Sequence, residues 1–221
     1  MALYIDSAFL NDITEVSQTL PLAGVTTNPT LLLNAYERGQ KLQPSDLLAE
    51  LLRIQDGFVF MQPGATSEEE MYEEAQSYMQ ADPERVVPKI PMTRIGLRVA
   101  QRLKIGSSRV AFTAVTTVAQ AYSAAIVGAD YIILYYNRLE RCGIDASVRV
   151  SQINRLYEVQ QLRTRIVAAS IKSSHEVARA LLAGVHDLTV PPQTLLELVS
   201  DQLSEEAVEK FSQDWKKMKR L

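Results

Sequence analysis

One lysine of this chain stands inside an apolar run, where an ammonium group would be poorly hydrated. Lys89 lies in the segment VVPKIP, between Pro88 and Ile90. Burial disfavours the charged form of a lysine and lowers its pKa. The free amine can then attack a ketone and form a Schiff base. A lysine that ends a strand and extends its ammonium to solvent gives the same pattern, so the spacing alone leaves both interpretations open.

Other polar side chains end or follow β-rich runs in a similar way. Asp6 could move protons to and from a Schiff base, or it could cap the next helix. Asn28 precedes Pro29, which is typical of a helix N-cap. The remaining candidates of this kind are Thr26, Thr27, Gln62, Thr113, Tyr135, Arg138, Ser170 and Lys172.

Two subsets of these candidates indicate binding sites. Gln62, Thr113 and Tyr135 together could hold a water molecule, although each alone is more often an ordinary structural residue. The remaining subset, Arg138, Ser170 and Lys172, offers two cations and a hydroxyl for a phosphate group. For each of these cations taken separately, a surface salt bridge is the commoner fate.

The elements that must position these residues form a regular alternation. Eight β-rich runs are separated by longer helical stretches, and the runs cover 3–6, 24–27, 58–62, 86–90, 109–115, 131–136, 165–170 and 186–190. The repeat is about 26 residues, close to the unit of a (β/α)₈ barrel. A doubly wound open sheet usually has a Gly-rich turn after its first strand, whereas this chain has Asp6-Ser7-Ala8. The sequence therefore predicts an α/β fold, a (β/α)₈ TIM barrel with the polar residues at its mouth.

Helices are predicted over 67–80, 94–104 and 116–127, and a further one near the end. The whole chain, 1–221, is predicted to be one barrel domain, with 204–221 as a helix beyond the eight units. Its apolar stripe includes Phe211 and Trp215. This helix either closes the bottom of the barrel or packs on a neighbouring subunit.

Composition excludes several classes of protein. The 221 residues are 47% hydrophobic, and 23 Lys and Arg stand against 26 Asp and Glu, which gives a net charge of −3. A nucleic-acid surface normally needs a basic excess, so no nucleic-acid partner is expected. No apolar run is long enough for a membrane span, and MALYIDSAF has no signal-peptide pattern. The single Cys142 and the lack of a Cys/His pattern predict no disulfide and no metal site, and a cytoplasmic location is expected.

The chain resembles the small transaldolase subfamily that includes fructose-6-phosphate aldolase. The resemblance is colinear along nearly the whole sequence and is most specific in the pairing of GVTTNP with a lysine in the fourth strand. The matching segments are LYIDSA, LAGVTTNPTLL, VVPKIPMTRIGL, FTAVTTVAQAYSAAIVGADYI, YYNR, AASIKS, LLAGVHDLTVPP and EKFSQDW.

The resemblance implies a role for each candidate residue. Lys89 matches the Schiff-base lysine and Asp6 the acid/base aspartate. Thr26 and Asn28 match residues that contact sugar hydroxyls. The family's phosphate-binding arginine matches Arg138. Its serine on strand seven matches Ser170, and the basic residue two positions later matches Lys172. Such chemistry needs no metal or organic cofactor, and the expected partners are small sugar phosphates and further copies of the chain, as a pentamer or decamer.

Two positions separate the branches of this family. Transaldolases resemble one another in having Glu on strand three and Phe on strand six, whereas the aldolase branch has Gln and Tyr, as at Gln62 and Tyr135 here. Thr113, the third partner of the water, is shared by both branches. A tyrosine hydroxyl adds a proton donor and acceptor, which favours hydrolysis of the bound three-carbon unit. The sequence thus favours an aldolase, with transaldolase as the alternative and a non-catalytic sugar-phosphate-binding barrel as a remote one.

Two departures from the family pattern bear on the site. Pro88 precedes the lysine where relatives have valine, and proline removes a ladder donor from a central strand. A local adjustment beside Lys89 is therefore expected. Ile133 replaces a smaller residue two positions before Tyr135, which leaves the preferred ketone open.

Overall fold

The computed structural model describes residues 1–106 and 108–220. In that part of the chain, eight parallel strands close into a barrel in sequence order. The strands are β1 (Ala2–Asp6), β2 (Gly24–Thr26), β3 (Phe58–Met61), β4 (Val86–Pro91), β5 (Ala111–Val115), β6 (Tyr131–Tyr135), β7 (Arg165–Ala169) and β8 (Asp187–Val190). This confirms the predicted (β/α)₈ TIM barrel, and the strand bounds differ from the predicted ones by at most two residues.

Helices follow the strands around the outside of the barrel. They are α1 (Leu10–Ser17), α2 (Pro29–Glu37), α3 (Pro44–Ile54), α4 (Glu68–Ala81), α5 (Arg94–Ile105), α6 (Val118–Ile126), α7 (Tyr136–Arg141), α8 (Ala146–Val159), α9 (Ser174–Leu182), α10 (Pro192–Glu197) and α11 (Gln202–Met218). Helices α4, α5 and α6 match the predicted stretches. Each begins after a hydroxyl side chain that accepts a backbone N–H of the first turn, at Ser67, Thr93 and Thr117, as N-caps do.

The barrel interior is built from alternate residues of the strands. Successive side chains of a strand point to opposite faces, so residues two apart share a face. The apolar layer inside the barrel contains Tyr4, Phe60, Val87, Ala111, Tyr131, Ile133, Val167 and Ala169. Five candidate residues each follow a member of this layer by two positions along the chain, namely Asp6, Gln62, Lys89, Thr113 and Tyr135. The candidate residues therefore face inward, one step closer to the carboxyl ends of the strands.

The strand that carries Lys89 passes through its proline without interruption. β4 is continuous over Val86–Pro91, and Pro88 keeps its register with Met61 of β3. The adjustment expected beside Lys89 is therefore not seen in β4, because one missing donor costs a single ladder hydrogen bond. The sheet is irregular instead in β5, where the pairing with β6 shifts between Phe112 and Val115.

A glycine holds the helix that follows β4 close to the strand. A Cβ atom at Gly96 would collide with the carbonyl oxygen of Pro91, the last residue of β4. Only a residue without a side chain lets the first turn of α5 approach so closely. This contact helps to fix the strand end just beyond Lys89.

The last helix contributes nothing to the core of its own chain. α11 has no buried residue, and Val208, Phe211 and Trp215 are 64%, 67% and 55% exposed. The helix was predicted over 204–221, of which Leu221 lies outside the described residues. Closing the barrel bottom would bury its apolar stripe, so the structure does not support that interpretation.

None of the helices in the described part of the chain combines the length and the apolar character of a membrane-spanning segment.

Candidate active site

A cavity of about 470 Å³ opens at the carboxyl ends of the strands. Eight of the ten predicted site residues line it, namely Asp6, Asn28, Gln62, Lys89, Tyr135, Arg138, Ser170 and Lys172. In a barrel these strand ends converge although the residues lie far apart in sequence. A larger groove of about 730 Å³ lies between α8 and α9, but it contains none of the candidate residues.

Lys89 lies at the base of this cavity and is 2% exposed. Its Nζ donates a hydrogen bond of 2.7 Å to the carbonyl oxygen of Thr27. Burial lowers the pKa of Lys89, and the charge of Asp6 opposes that change only in part. The alternative of a solvated lysine at a strand end is thus excluded by geometry, and the amine faces the cavity in a setting that favours its neutral form.

Asp6 lies on the neighbouring side of the cavity and is partly buried. Burial raises the pKa of its carboxyl group, while the charge of Lys89, a hydrogen bond from Thr26 and the charge of Lys172 act in the opposite direction. The two groups shift each other's titration without forming an ion pair among the described residues. A carboxyl group with a raised pKa is a better proton donor at a given pH than an ordinary carboxyl group, which suits a role as an acid.

Two hydroxyl groups form a hydrogen-bonded chain that ends at the carboxyl group of Asp6. Thr26 Oγ1 donates to Asp6 Oδ1 at 2.7 Å, and the hydroxyl groups of Thr26 and Thr189 are 2.6 Å apart. Thr26 has a single hydroxyl hydrogen, which it gives to Asp6, so Thr189 donates to Thr26. Thr189 was not among the predicted site residues. Its inward position in the run HDLTV could have indicated that it faces the barrel interior.

Thr26 and Asn28 differ from each other in their relation to the cavity. Thr26 is fully buried and does not line the cavity, so in this structure it supports Asp6 and is not exposed to a sugar. Asn28 lines the cavity and also caps α2, because its Oδ1 accepts the backbone N–H of Leu31 at 3.0 Å. Capping fixes the orientation of this side chain at the cavity wall.

Of the three predicted water-binding residues, Gln62 follows β3, Thr113 lies in β5 and Tyr135 ends β6. Thr113 Oγ1 is 3.4 Å from the hydroxyl of Tyr135. Gln62 Oε1 is buried and has no hydrogen-bond partner among the described residues, so it can accept from a donor that enters the cavity. Ala114, next to Thr113, has φ of 60°, a costly conformation for a residue with a Cβ that is found preferentially at functional sites.

The predicted phosphate residues form the outer rim of the cavity. Arg138 and Lys172 are exposed, and the guanidinium carbon of Arg138 lies 5.1 Å from the centre of the Tyr135 ring. Within residues 1–106 and 108–220, neither cation makes an ion pair, unlike Arg165 with Asp187. The salt-bridge alternative is thus not what the structure shows, and both charges remain available to an anion.

Comparisons with known proteins find similar sequences over nearly the whole chain. A family model described as Transaldolase/Fructose-6-phosphate aldolase matches residues 3–221. A probable transaldolase of Alkaliphilus metalliredigens is 34% identical over 97% of this chain and 98% of the relative. A probable transaldolase 2 of Bacillus anthracis is 34% identical over the full length of both chains.

A solved structure shares the fold alone. The inosine 5'-monophosphate dehydrogenase of Legionella pneumophila matches 88% of this chain and 59% of its own, with a TM-score of 0.60 and 15% identity. At that identity the similarity concerns the barrel and carries no information on the reaction.

Proposed function

The chain belongs to the transaldolase/fructose-6-phosphate aldolase family, and within it we propose that this enzyme reversibly cleaves fructose 6-phosphate to dihydroxyacetone and glyceraldehyde 3-phosphate through a Schiff base. The observation that carries the proposal is Lys89, an amine 2% exposed at the base of a polar cavity. An uncharged, buried amine beside a carboxyl group is what nucleophilic attack on a ketone requires.

Schiff-base formation uses Lys89 and Asp6. The Nζ of Lys89 adds to the C2 carbonyl of the sugar and forms a carbinolamine. Asp6, whose pKa is raised by burial, gives a proton to the departing hydroxyl, which leaves as water. The product is a protonated imine that can accept an electron pair.

Cleavage of the C3–C4 bond follows from that electron sink. A water held by Gln62, Thr113 and Tyr135 takes the proton of the C4 hydroxyl. This water passes a proton to the ionised Asp6, while the C3–C4 electron pair moves into the imine. The enamine of dihydroxyacetone stays on Lys89. Glyceraldehyde 3-phosphate leaves, and Arg138, Ser170 and Lys172 hold its phosphate until release.

Asp6 returns a proton to C3 of the enamine, and hydrolysis of the resulting imine completes the cycle. Hydrolysis needs a water at C2 and a group that moves its proton. The Tyr135 hydroxyl lies 3.4 Å from Thr113 Oγ1 and supplies a donor and acceptor at the water site. We assign to Tyr135 the release of free dihydroxyacetone, which makes the enzyme an aldolase.

Transaldolase is the second candidate, since the relatives of this chain carry the name probable transaldolase. In that reaction the enamine on Lys89 attacks an acceptor sugar phosphate, and hydrolysis is slow. A non-catalytic sugar-phosphate-binding barrel would use Arg138 and Ser170 but would have no need for a buried Lys89 beside Asp6.

The enzyme is also proposed to assemble as a homo-oligomer, a pentamer or a decamer. The support is the apolar stripe of α11, in which Phe211 and Trp215 are 67% and 55% exposed. Exposed aromatic side chains in one stripe of a helix are typical of an interaction surface.

One assay separates the two reactions. Fructose 6-phosphate is supplied alone, and free dihydroxyacetone and glyceraldehyde 3-phosphate are measured; erythrose 4-phosphate is then added as an acceptor. The aldolase proposal expects release of free dihydroxyacetone that is independent of the acceptor. If product forms only when erythrose 4-phosphate is present, the enzyme is a transaldolase and the role given to Tyr135 is wrong.

A further inference from the structure

One acidic residue links the two segments that carry the cations of the cavity rim. Glu176 lies in the first turn of α9 and is partly buried. Its Oε1 accepts the side-chain amide of Asn137 at 2.6 Å, and its Oε2 accepts the backbone N–H of Lys172 at 2.8 Å. Asn137 directly precedes Arg138 in α7. A single carboxylate thus ties the segment of Arg138 to that of Lys172.

These hydrogen bonds are not those of an ordinary helix cap. Glu176 is the third residue of α9, and Ser173 caps the helix by accepting the backbone N–H of Glu176 at 3.2 Å. In a capping box the acidic side chain at this position would return to the N–H of the cap residue. Glu176 instead accepts from the backbone N–H of Lys172, the residue before the cap, and from the side chain of Asn137 in α7.

The segment held by Glu176 has an otherwise unfavourable backbone. Ser170 has φ of 61°, in the left-handed region that residues with a Cβ rarely adopt. Ile171, fully buried, anchors the segment to the core. The bond from Lys172 N–H to Glu176 fixes the chain just after this turn, so the carboxylate stabilises the direction in which Ser170 and Lys172 face.

Glu176 fixes this segment without neutralising the positive charges of the cavity rim. Both of its partners are uncharged amides, and it forms no ion pair with Arg138 or Lys172 among the described residues. The two cations therefore keep their charge for an anion, while the spacing between their segments is fixed. Preorganised donors bind an anion more tightly than mobile ones because less entropy is lost on binding.

We infer that Glu176 is a positioning residue that sets the separation of Arg138 and Lys172 and thereby the affinity of the cavity for the phosphate end of its substrate. The inference rests on the proposed function for the identity of the substrate. Phosphate binding can be measured without turnover. A failure of the role given to Glu176 can therefore be distinguished from a failure of the proposed reaction.

The experiment titrates the full chain with inorganic phosphate by calorimetry and compares two aldol substrates. For Glu176→Ala we expect the Kd of phosphate and the KM of fructose 6-phosphate to rise roughly tenfold. The rate of aldol addition of dihydroxyacetone to unphosphorylated glyceraldehyde should stay unchanged. Glu176→Gln keeps one acceptor oxygen, so its Kd for phosphate should lie between the values of the wild type and Glu176→Ala.

Ser173→Ala is the matched control, since it removes the cap of α9 and leaves both bonds of Glu176 in place. It should lower the Tm and leave the Kd of phosphate unchanged. If Glu176→Ala does not fold, Asn137→Ala removes the link to α7 alone, and its Kd should rise several-fold.

Three results would overturn the inference. They are an unchanged phosphate Kd in folded Glu176→Ala, an equal rise of that Kd in Ser173→Ala, and no phosphate binding by the wild type. Weakened phosphate binding in Glu176→Ala together with no cleavage of fructose 6-phosphate by the wild type would support the role of Glu176 and contradict the proposed reaction.

Discussion

Thr26 Oγ1 donates a hydrogen bond of 2.7 Å to Asp6 Oδ1, and the two residues face each other in the register of β1 and β2. The bond stabilises the ionised carboxylate and opposes the rise in its pKa that burial causes. Burial is the main influence on the pKa of Asp6, and a residue that does not line the cavity partly opposes it.

Replacement of Thr26 by valine, which has a similar shape, removes this donor. The pKa of Asp6 should then rise further, because the charged form loses a hydrogen bond. Asp6 gives a proton during Schiff-base formation, so this step is lost as the pH rises through the pKa of Asp6. The basic limb of the kcat/KM profile should therefore move to higher pH in Thr26→Val.

Thr189→Val is the companion variant, since it removes only the second hydroxyl of the chain and leaves the donor to Asp6. Its basic limb should move in the same direction by a smaller amount. If the basic limb of Thr26→Val coincides with that of the wild type, the hydroxyl chain does not affect the pKa of Asp6.

The Tyr135 hydroxyl is proposed to act on water at the bound three-carbon unit. In Tyr135→Phe we expect the release of free dihydroxyacetone from fructose 6-phosphate to fall by roughly a hundredfold or more, as expected for loss of a general acid/base group. Transfer to erythrose 4-phosphate should decline less or increase. Steady-state assays of both products check this.

The adjacent tyrosine offers a matched control. The hydroxyl of Tyr136 lies 2.5 Å from that of Ser147 and outside the cavity. Tyr136→Phe should lower stability by about 1 kcal/mol and leave the ratio of release to transfer unchanged. Equal release by Tyr135→Phe and the wild type would contradict the role of Tyr135.

The final helix is expected to serve assembly and not folding. Because α11 buries none of its residues in its own chain, a chain that ends after residue 203 should keep the circular dichroism and cooperative unfolding of the barrel. Sedimentation velocity should show that it loses the oligomer. A wild-type chain that sediments as a monomer, or a shortened chain that still assembles, would contradict this expectation.

The fold could be predicted because its signals are local. Each strand is a short apolar run, and the repeat of about 26 residues matches one barrel unit. Alternation along a strand then places Lys89 two positions beyond Val87 of the barrel interior. The sequence could not show whether Lys89 reaches solvent, because that depends on side chains from several other strands.

Contacts that join distant segments were not predictable. Thr189 and Thr26 are 163 positions apart and meet only because β8 closes the barrel against β1. Glu176 had the pattern of a capping residue, and its bond to Asn137 depends on how α7 and α9 lie in space. The apolar stripe of α11 could be predicted from its pattern, but not that its side chains are exposed in the single chain.

The central claim is that Lys89 forms the Schiff base, and reductive trapping tests it most directly. The enzyme is incubated with fructose 6-phosphate and sodium borohydride, and the modified residue is located by peptide mass mapping. Lys172→Met, which removes the other lysine that lines the cavity, should still be trapped, and Lys89→Met should not. We predict one adduct of the three-carbon unit, on Lys89; an adduct on another residue, or none, would contradict the account.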